Sequence, residues 1–340
     1  MSRADDMAAF VAQAGLNPAD IRPLAADASF RQYFRIDGDV PYVLMDAPPG
    51  KEEIIPFMAI GSHLGKTGFS APRVIDNDLA QGFLLLEDLG NDTFTKLLND
   101  GANVNQLYEA AVDVLIDLHS NKPPSEITLD GDLVYCVPPY DDDALMTEVC
   151  LLAEWYLPAC DINPTTDALA DYRHRWNAVF DKCRVGAEVL VLRDYHVDNL
   201  MMLKGRNGNA QVGLLDFQDG LIGPAAYDLV SLLQDCRYHV PQAVEQAMLK
   251  RYLAARTDLN PERFRTAYTI MGAQRHTKII GIFTRLWKRD GKRAYLRMIP
   301  YLWDLLEPSL SHPAMADIKE WIDLNVPHDL RRQPIPGNSS

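Results

Sequence analysis

The 340-residue sequence predicts an α+β protein of two lobes, a small antiparallel-sheet N-lobe and a larger, mainly helical C-lobe. Three observations predict it. Strand-like apolar runs crowd into the first ninety or so residues, and helical periodicity takes over after Gly90. The length also exceeds what one core holds, since single cores seldom grow past roughly 250–300 residues. The run LLLEDLG is the expected crossing point, dividing 1–89 from 90–330 and leaving 331–340 as a loose tail.

Each element has a local reason. FRQYFRID and PYVLMDA are extended runs separated by Gly38-Asp39, a hairpin turn. PFMAIGSHLGKTG reads as a helix with Pro56 at its start and Gly68 near its end. PRVIDND and GFLLLEDLG follow as two more strands, making four strands with a helix on one side. NVNQLYEAAVDVLIDLH then places Leu107, Ala111, Val114, Leu115 and Leu118 on one helical face. A loop rich in Pro and Asp, 122–141, leads to the helix DDDALMTEVCLLAEWYL, capped by Asp141 or Asp142. A third helix lies near 165–184, QVGLLDF is a further strand, and helices dominate from Gly223 onward.

Composition excludes several classes. A net charge of -14 argues against a nucleic-acid groove and an anionic membrane surface, which both need basic patches. It leaves room for a phosphorylated ligand neutralised by local cations and Mg²⁺. Neither the N-terminal stretch nor any later run reaches about 18 uninterrupted apolar residues. Five cysteines without a CxxC pair favour reduced thiols. The expectation is a cytoplasmic protein with no nucleic-acid or membrane partner, and nothing in the sequence specifies an oligomeric state.

The chemistry concentrates in VLVLRDYHVDNLMML, residues 189–203. Asp194 and Asn199 stand five positions apart in a polar loop between the strands EVLVLR and NLMML, at the end of an expected small sheet. Asp216 follows 22 positions after Asp194, at the end of VGLLDF. Two carboxylates and an amide are hard oxygen ligands of the kind Mg²⁺ takes, with one group left over as a base. D-Y-H-V-D-N followed by D-F-Q-D parallels the D-x-x-x-x-N and D-F-G of phosphoryl-transfer enzymes. Alone, such a loop is usually a solvated turn. A metallohydrolase using His196 and Asp198 is weaker, because the other seven histidines form no ligand pair.

R-D-Y-H-x-x-N-L-M, D-F-Q-D, G-P-x-x-Y-D-L-V-S-L-L and M-G-x-Q-R-H-x-K-x-x-G-I-F-x-R-L together resemble the aminoglycoside phosphotransferase-like kinases. Within that family the similarity is to the branch phosphorylating the anomeric hydroxyl of N-acetylmuramate and N-acetylglucosamine in bacterial cell-wall recycling. S-F-R-Q-Y-F-R, V-L-M-D-A-P-P and G-F-L-L-L-E-D-L-G extend the likeness over about residues 20–305. It implies a bilobal protein-kinase-like fold, ATP and Mg²⁺ as cofactors, and a small amino sugar as substrate. Asp194 falls on the catalytic base, Asn199 and Asp216 on the Mg²⁺ ligands, and His196 on a position facing the transferring phosphate. Glu87 and Leu89 fall on the hinge that binds adenine, and Ser29 and Arg31 in the loop covering the phosphates. Two departures stand out. Leu192 replaces a supporting His two before the base, and Met45 stands where kinases carry a phosphate-gripping lysine, leaving Arg31, Arg35 or Lys51 as substitutes.

For the acceptor, Gln218 and Asp219 could bond sugar hydroxyls or form a surface turn. Glu148 and Trp155, seven apart on a helix, could flank a sugar ring or belong to a packed helix. Arg275, with His276, Lys278 and Arg285, could bind a lactyl carboxylate or lie on a solvated, ion-paired face. Asp228 is expected to brace the catalytic loop. A kinase of an aminoglycoside or choline-like alcohol, and a nucleotide-binding pseudokinase, are the alternatives.

Overall fold

The computed structural model describes residues 2–24 and 30–332. A helix not anticipated from the sequence opens the chain: α1, Arg3–Gln13, is held by a capping box at Ser2. Its Phe10 and Val11 pack with Ile36, Leu44, Phe83 and Leu85 in one buried cluster. The sheet below has five antiparallel strands rather than four. They are β1 Ile21–Pro23, β2 Gln32–Ile36, β3 Tyr42–Asp46, β4 Val74–Asp78 and β5 Phe83–Glu87, in the order β1-β2-β3-β5-β4. The extra strand is three residues long and mostly exposed, so it carries no apolar run to betray it. Helix α2, Ile55–Lys66, has Pro56 in its first turn, as expected.

Two short helices' worth of chain follow. Helix α3, Phe94–Asn99, is capped by Thr93, and α4 spans Val104–Ser120 with the five spaced apolar residues all buried. The stretch 122–141, read as a loop, contains the hairpin β6 Glu126–Thr128 and β7 Val134–Cys136. Strands this short and polar leave little alternation to detect. Asp141 caps α5, Asp142–Leu151, by accepting from the Ala144 N–H. The helix then runs on through a π-helical turn, Leu152–Tyr156, into α6, Leu157–Ala159. Helix α7 is Thr166–Phe180.

Next come β8 Val189–Val191, β9 Leu200–Met202, β10 Val212–Leu214 and β11 Leu221–Gly223. The two strands flanking the polar loop do not share a sheet. β8 pairs with β11, and β9 pairs with β10. Helices finish the chain: α8 Ala226–Leu233, α9 Gln242–Ala255, α10 Pro261–Asp290, α11 Ile299–Leu310, α12 Ala316–Asn325 and α13 His328–Arg331.

The structure divides into two compact units: Met1–Val114, Pro124–Val137 and Asp198–Gly220 form one, and Leu115–Pro123, Pro138–Val197 and Leu221–Ser340 the other. A single cut at Gly90 therefore does not separate them. The β9–β10 hairpin belongs with the sheet unit because Leu214 N–H donates to the Ser70 carbonyl at 2.8 Å and Thr93 bridges Met201. In the second unit, the 30-residue α10 is the central helix, packed against α5, α8 and α11. Its Gly281 permits this approach, since a Cβ there would lie 2.4 Å from the Leu151 carbonyl carbon.

Arg331, expected to head a loose tail, is instead buried and ion-paired to Asp323 at 2.9 Å. Residues 333–340 of that tail lie outside the described residues. Among the described residues, no helix is long and apolar enough to cross a membrane.

Candidate active site

Strand register builds one group of candidate residues, entirely within the sheet unit. Leu200 pairs with Leu214, and Leu215 N–H donates to the Asn199 carbonyl at 2.9 Å. Asn199 thus sits just before one strand and Asp216 just beyond the other. Their side chains meet, with Asn199 Nδ2 3.5 Å from Asp216 Oδ2. Asp216 is held in a left-handed conformation, φ 55°, which a non-glycine residue adopts only when its surroundings impose it. The next residue, Phe217, is fully buried and stacked on Phe57 of α2 at 4.9 Å.

Three further groups surround the carboxylate. Arg31 Nη2 lies 3.5 Å from Asp216 Oδ1, and Gln218 Nε2 donates to the same oxygen at 2.8 Å. A cavity of about 370 Å³ opens beside them, lined by Arg31, Lys51, Glu52, Glu53, Gln218 and Asp219. Gln218 is buried and Asp219 exposed, so the two neighbours face different surroundings.

The residues fit Mg²⁺ arriving on a nucleotide. The Asn199 amide and the Asp216 carboxylate lie together, each with an oxygen to offer a hard cation, and the buried Gln218 Oε1 has no hydrogen-bond partner among the described residues. Among the described residues no group of three or more acidic, His or Cys side chains forms a self-sufficient metal cage. Two protein ligands completed by phosphates and water is the usual arrangement for Mg²⁺.

Glu87 and Leu89 line a second cavity, about 480 Å³, together with Met202 and Leu203. The Glu87 carboxylate is occupied by Arg206 at 2.5 Å and Arg73 at 3.0 Å. What remains for a ligand there is the backbone of the cavity wall. Ser29 lies outside the described residues.

A separate group of candidate residues lies in the helical unit. Asp194 follows β8 by three residues, and α8 fixes the turn between them. Asp228 of α8 accepts the N–H groups of Leu192 at 2.6 Å and Arg193 at 2.9 Å. Burial pushes the Asp228 carboxyl up to about 7 against these two donors. Arg193 is left-handed, φ 68°. The loop is thus anchored through backbone N–H groups, which is how Leu192 can stand where a supporting His was expected.

Arg275, buried on α10, reaches the same turn. It donates to the Arg193 carbonyl at 2.8 Å and the Tyr227 hydroxyl at 3.0 Å, and lies 3.5 Å from Asp194 Oδ1. The Asp194 side chain is 40% exposed. Burial opposes its charge, but the Arg275 guanidinium and Lys278 ammonium hold its carboxyl well below the usual carboxylate range. His196 is buried. Burial and the nearby Arg237 hold its imidazole well below its ordinary value, with Asp194 opposing, so it is neutral.

Glu148 is the hub of a buried network. It pairs with Lys278 at 2.7 Å and with Arg193, and accepts from Tyr140 and, at 2.8 Å, from Gln274. Against burial, Lys278 and Arg193 bring its carboxyl down to about 2. Trp155 is half-buried in the π-helical turn. The wider winding there breaks the seven-residue alignment that would stack it over Glu148. The basic cluster of α10 is no solvated face either, because Arg275, His276 and Lys278 are all buried. Sequence reasoning missed Arg193, Tyr140 and Tyr227 as parts of this network. Tyr227 had a signal, standing next to Asp228 in P-A-A-Y-D.

Residues 20–266 match the phosphotransferase enzyme family, APH. Four curated proteins, 34–36% identical, carry the name N-acetylmuramate/N-acetylglucosamine kinase. The one from Caulobacter vibrioides is 36% identical over 96% of this chain and 97% of its own length. Solved structures share the fold. A choline/ethanolamine kinase family protein from Mesorhizobium loti, 12% identical, superposes with a TM-score of 0.61 over 94% of this chain and 98% of that one. The aminoglycoside phosphotransferase APH(2″)-Ib, solved with ADP bound and 15% identical, gives 0.58 over 90% and 97%. The fold is protein-kinase-like, and the chain belongs to the phosphotransferase enzyme family.

Proposed function

We propose that this kinase uses ATP to phosphorylate the anomeric hydroxyl of N-acetylmuramate or N-acetylglucosamine, giving the sugar 1-phosphate from cell-wall fragments returned to the cytoplasm. The observation that carries the reading is the β9–β10 register, which sets the Asn199 amide against the Asp216 carboxylate. Asp194, held ionised, lies five residues before Asn199 on the same loop. The names of the relatives support the choice of sugar.

Asp194 would orient the attacking hydroxyl and accept its proton as the new O–P bond forms and the γ-phosphoryl bond to ADP breaks. A carboxylate kept so acidic is a weak base. That suits a loose transition state, in which the proton leaves late and positioning dominates. An anomeric hydroxyl, more acidic than an ordinary alcohol, lowers the demand further. Asn199 and Asp216 would hold Mg²⁺, which when bound spreads the charge developing on the phosphates. Glu87 and Leu89 would meet the adenine through their backbone, and Gln218 and Asp219 would border the acceptor.

Mixing the protein with Mg-ATP and each candidate acceptor, then following ADP, tests the substrate. ADP formed with either N-acetyl sugar is expected; ADP formed only with an aminoglycoside or choline, or with nothing, overturns the reading. Asp194→Asn should lower kcat by roughly 10²–10⁴ with nucleotide affinity retained, as expected for a lost positioned base. Full turnover in that variant would remove Asp194 from the role.

A further inference from the structure

Past Glu87 the chain leaves β5 and turns at Gly90, φ 93°. This connection lies in the sheet unit and carries Leu89, one of the two residues whose backbone would meet adenine in the reading above. Strand register decides what can reach it. Arg35 of β2 pairs with Val43 of β3, and Val43 with Leu86 of β5, so the three side chains stand in a row on one face. The alternate residues Ile36, Leu44 and Leu85 belong to the cluster under α1. The row therefore lies on the opposite face, which it shares with Met45. Asp88, two positions past Leu86, continues on that face.

Arg35 is one of the cations that could have replaced the absent strand lysine, and its bonds point elsewhere. Its guanidinium grips the connection at three places. Nε lies 2.6 Å from Asp88 Oδ2 and Nη2 donates to Asp88 Oδ1 at 3.0 Å, a two-pronged pair. Nη2 also donates to the Gly90 carbonyl at 3.0 Å, and Nη1 to Asn91 Oδ1 at 2.7 Å. Asp88 is itself tied to the turn, its Oδ1 accepting the Gly90 N–H at 2.7 Å.

The Asp88 side chain is 3% exposed, so this is a carboxylate withdrawn from water and matched by a fork of donors, the stronger kind of ion pair. Two strand spacings, about 10 Å, separate β2 from β5. Arginine spans them and ends in a planar fork that fits a carboxylate, whereas lysine would bring a single point charge. All three nitrogens of Arg35 are engaged here, which places its role with the connection and not with a phosphate. A segment already held in its binding geometry loses less freedom when a ligand arrives.

We propose that Arg35, acting through Asp88, is the positioning residue for the nucleotide base. It sets the backbone of residues 88–91 so that Leu89, gripped on both sides, presents its main chain to the purine edge. The proposal rests on the nucleotide-binding reading above and concerns the base alone.

Calorimetric binding of MgADP and MgCDP, without any acceptor, tests it, since the two share ribose, phosphates and metal and differ only in the base. Wild type should bind MgADP at least about tenfold more tightly. Arg35→Met should weaken MgADP about 10-fold, the size of one or two hydrogen bonds, and leave MgCDP within about threefold, so that the preference for the purine collapses. Asp88→Asn keeps an acceptor for the Gly90 N–H and removes the charge. It should shift the preference in the same direction, and it carries the test should Arg35→Met fail to fold. The double variant should lose no more than the weaker-binding single one, because both substitutions break the same pair. Equal loss for both nucleotides, unchanged MgADP affinity, or additive losses in the double variant overturns the proposal. Wild type that binds both nucleotides equally overturns it too. Wild type that binds neither overturns the nucleotide reading as well, so the two failures are distinct.

Discussion

Arg193 and Asp216 are both left-handed non-glycine residues, φ 68° and 55°, at a cost of about 1–3 kcal/mol each. Arg193 is held by Asp228 and Arg275, and Asp216 precedes Phe217, which stacks on Phe57. Strain of this kind persists only where neighbouring bonds over-determine it, and here it falls at or beside the proposed base and metal ligands. Arg275 bears on the proposed base in two ways, through the Arg193 carbonyl and through the Asp194 carboxylate. Arg275→Met should therefore move the acid limb of the kcat profile to higher pH. Asp194 works only when ionised, and without the guanidinium its carboxyl titrates closer to the ordinary range. Lost loop geometry should also lower kcat about 10- to 100-fold at neutral pH. A pH–rate profile that falls uniformly, with its acid limb unmoved, would leave Arg275 a structural role alone.

At the scale of elements, close backbone approaches decide which helices meet. The α10 helix crosses α5 and the π-helical turn at Gly281, and Gly223 of β11 lies where a Cβ would come 2.6 Å from Tyr140 Cβ. Gly281→Ala should destabilise the helical unit by about 1–3 kcal/mol, because Leu151 meets the new methyl with backbone that cannot step aside. Urea denaturation reads this directly, and an unchanged midpoint would mean the crossing is looser than drawn. The same crossing carries Glu148 on α5 to Lys278 and Gln274 on α10. Any shift of α10 should accordingly be felt at Arg275 and the base.

For the whole molecule, three buried histidines set the acid limit. Burial brings His119 and His276 down to about 3 and holds His196 well below its ordinary value. Each is neutral when folded and protonated when unfolded between those values and about pH 6.5, so the unfolded chain binds more protons there. Their stabilisation is complete above about pH 6.5 and is lost as pH falls. Asp228, with its carboxyl pushed up to about 7, works the other way, contributing stability at low pH that is lost as pH rises. The net difference near pH 5 is about two protons, or roughly 3 kcal/mol per pH unit. Unfolding free energy from urea titrations should thus drop steeply between pH 6 and pH 5; a flat profile would contradict neutral buried histidines.

Local pattern determined a good deal by itself. Extended runs around a Gly-Asp turn marked β2 and β3, a continuous apolar run marked β5, spacing marked the apolar face of α4, and Asp141 marked the start of α5. Chain order put Asn199 just before one strand and Asp216 at the end of another, and the pairing of those strands came from the fold. Tertiary structure decided the rest. β8 and β9 parted into different sheets, the basic residues of α10 turned inward, and Glu148 became the centre of a buried ion network. No local pattern encodes these outcomes: a charge enters a core only when opposite charges from distant segments arrive with it, and that pairing exists only in the folded chain.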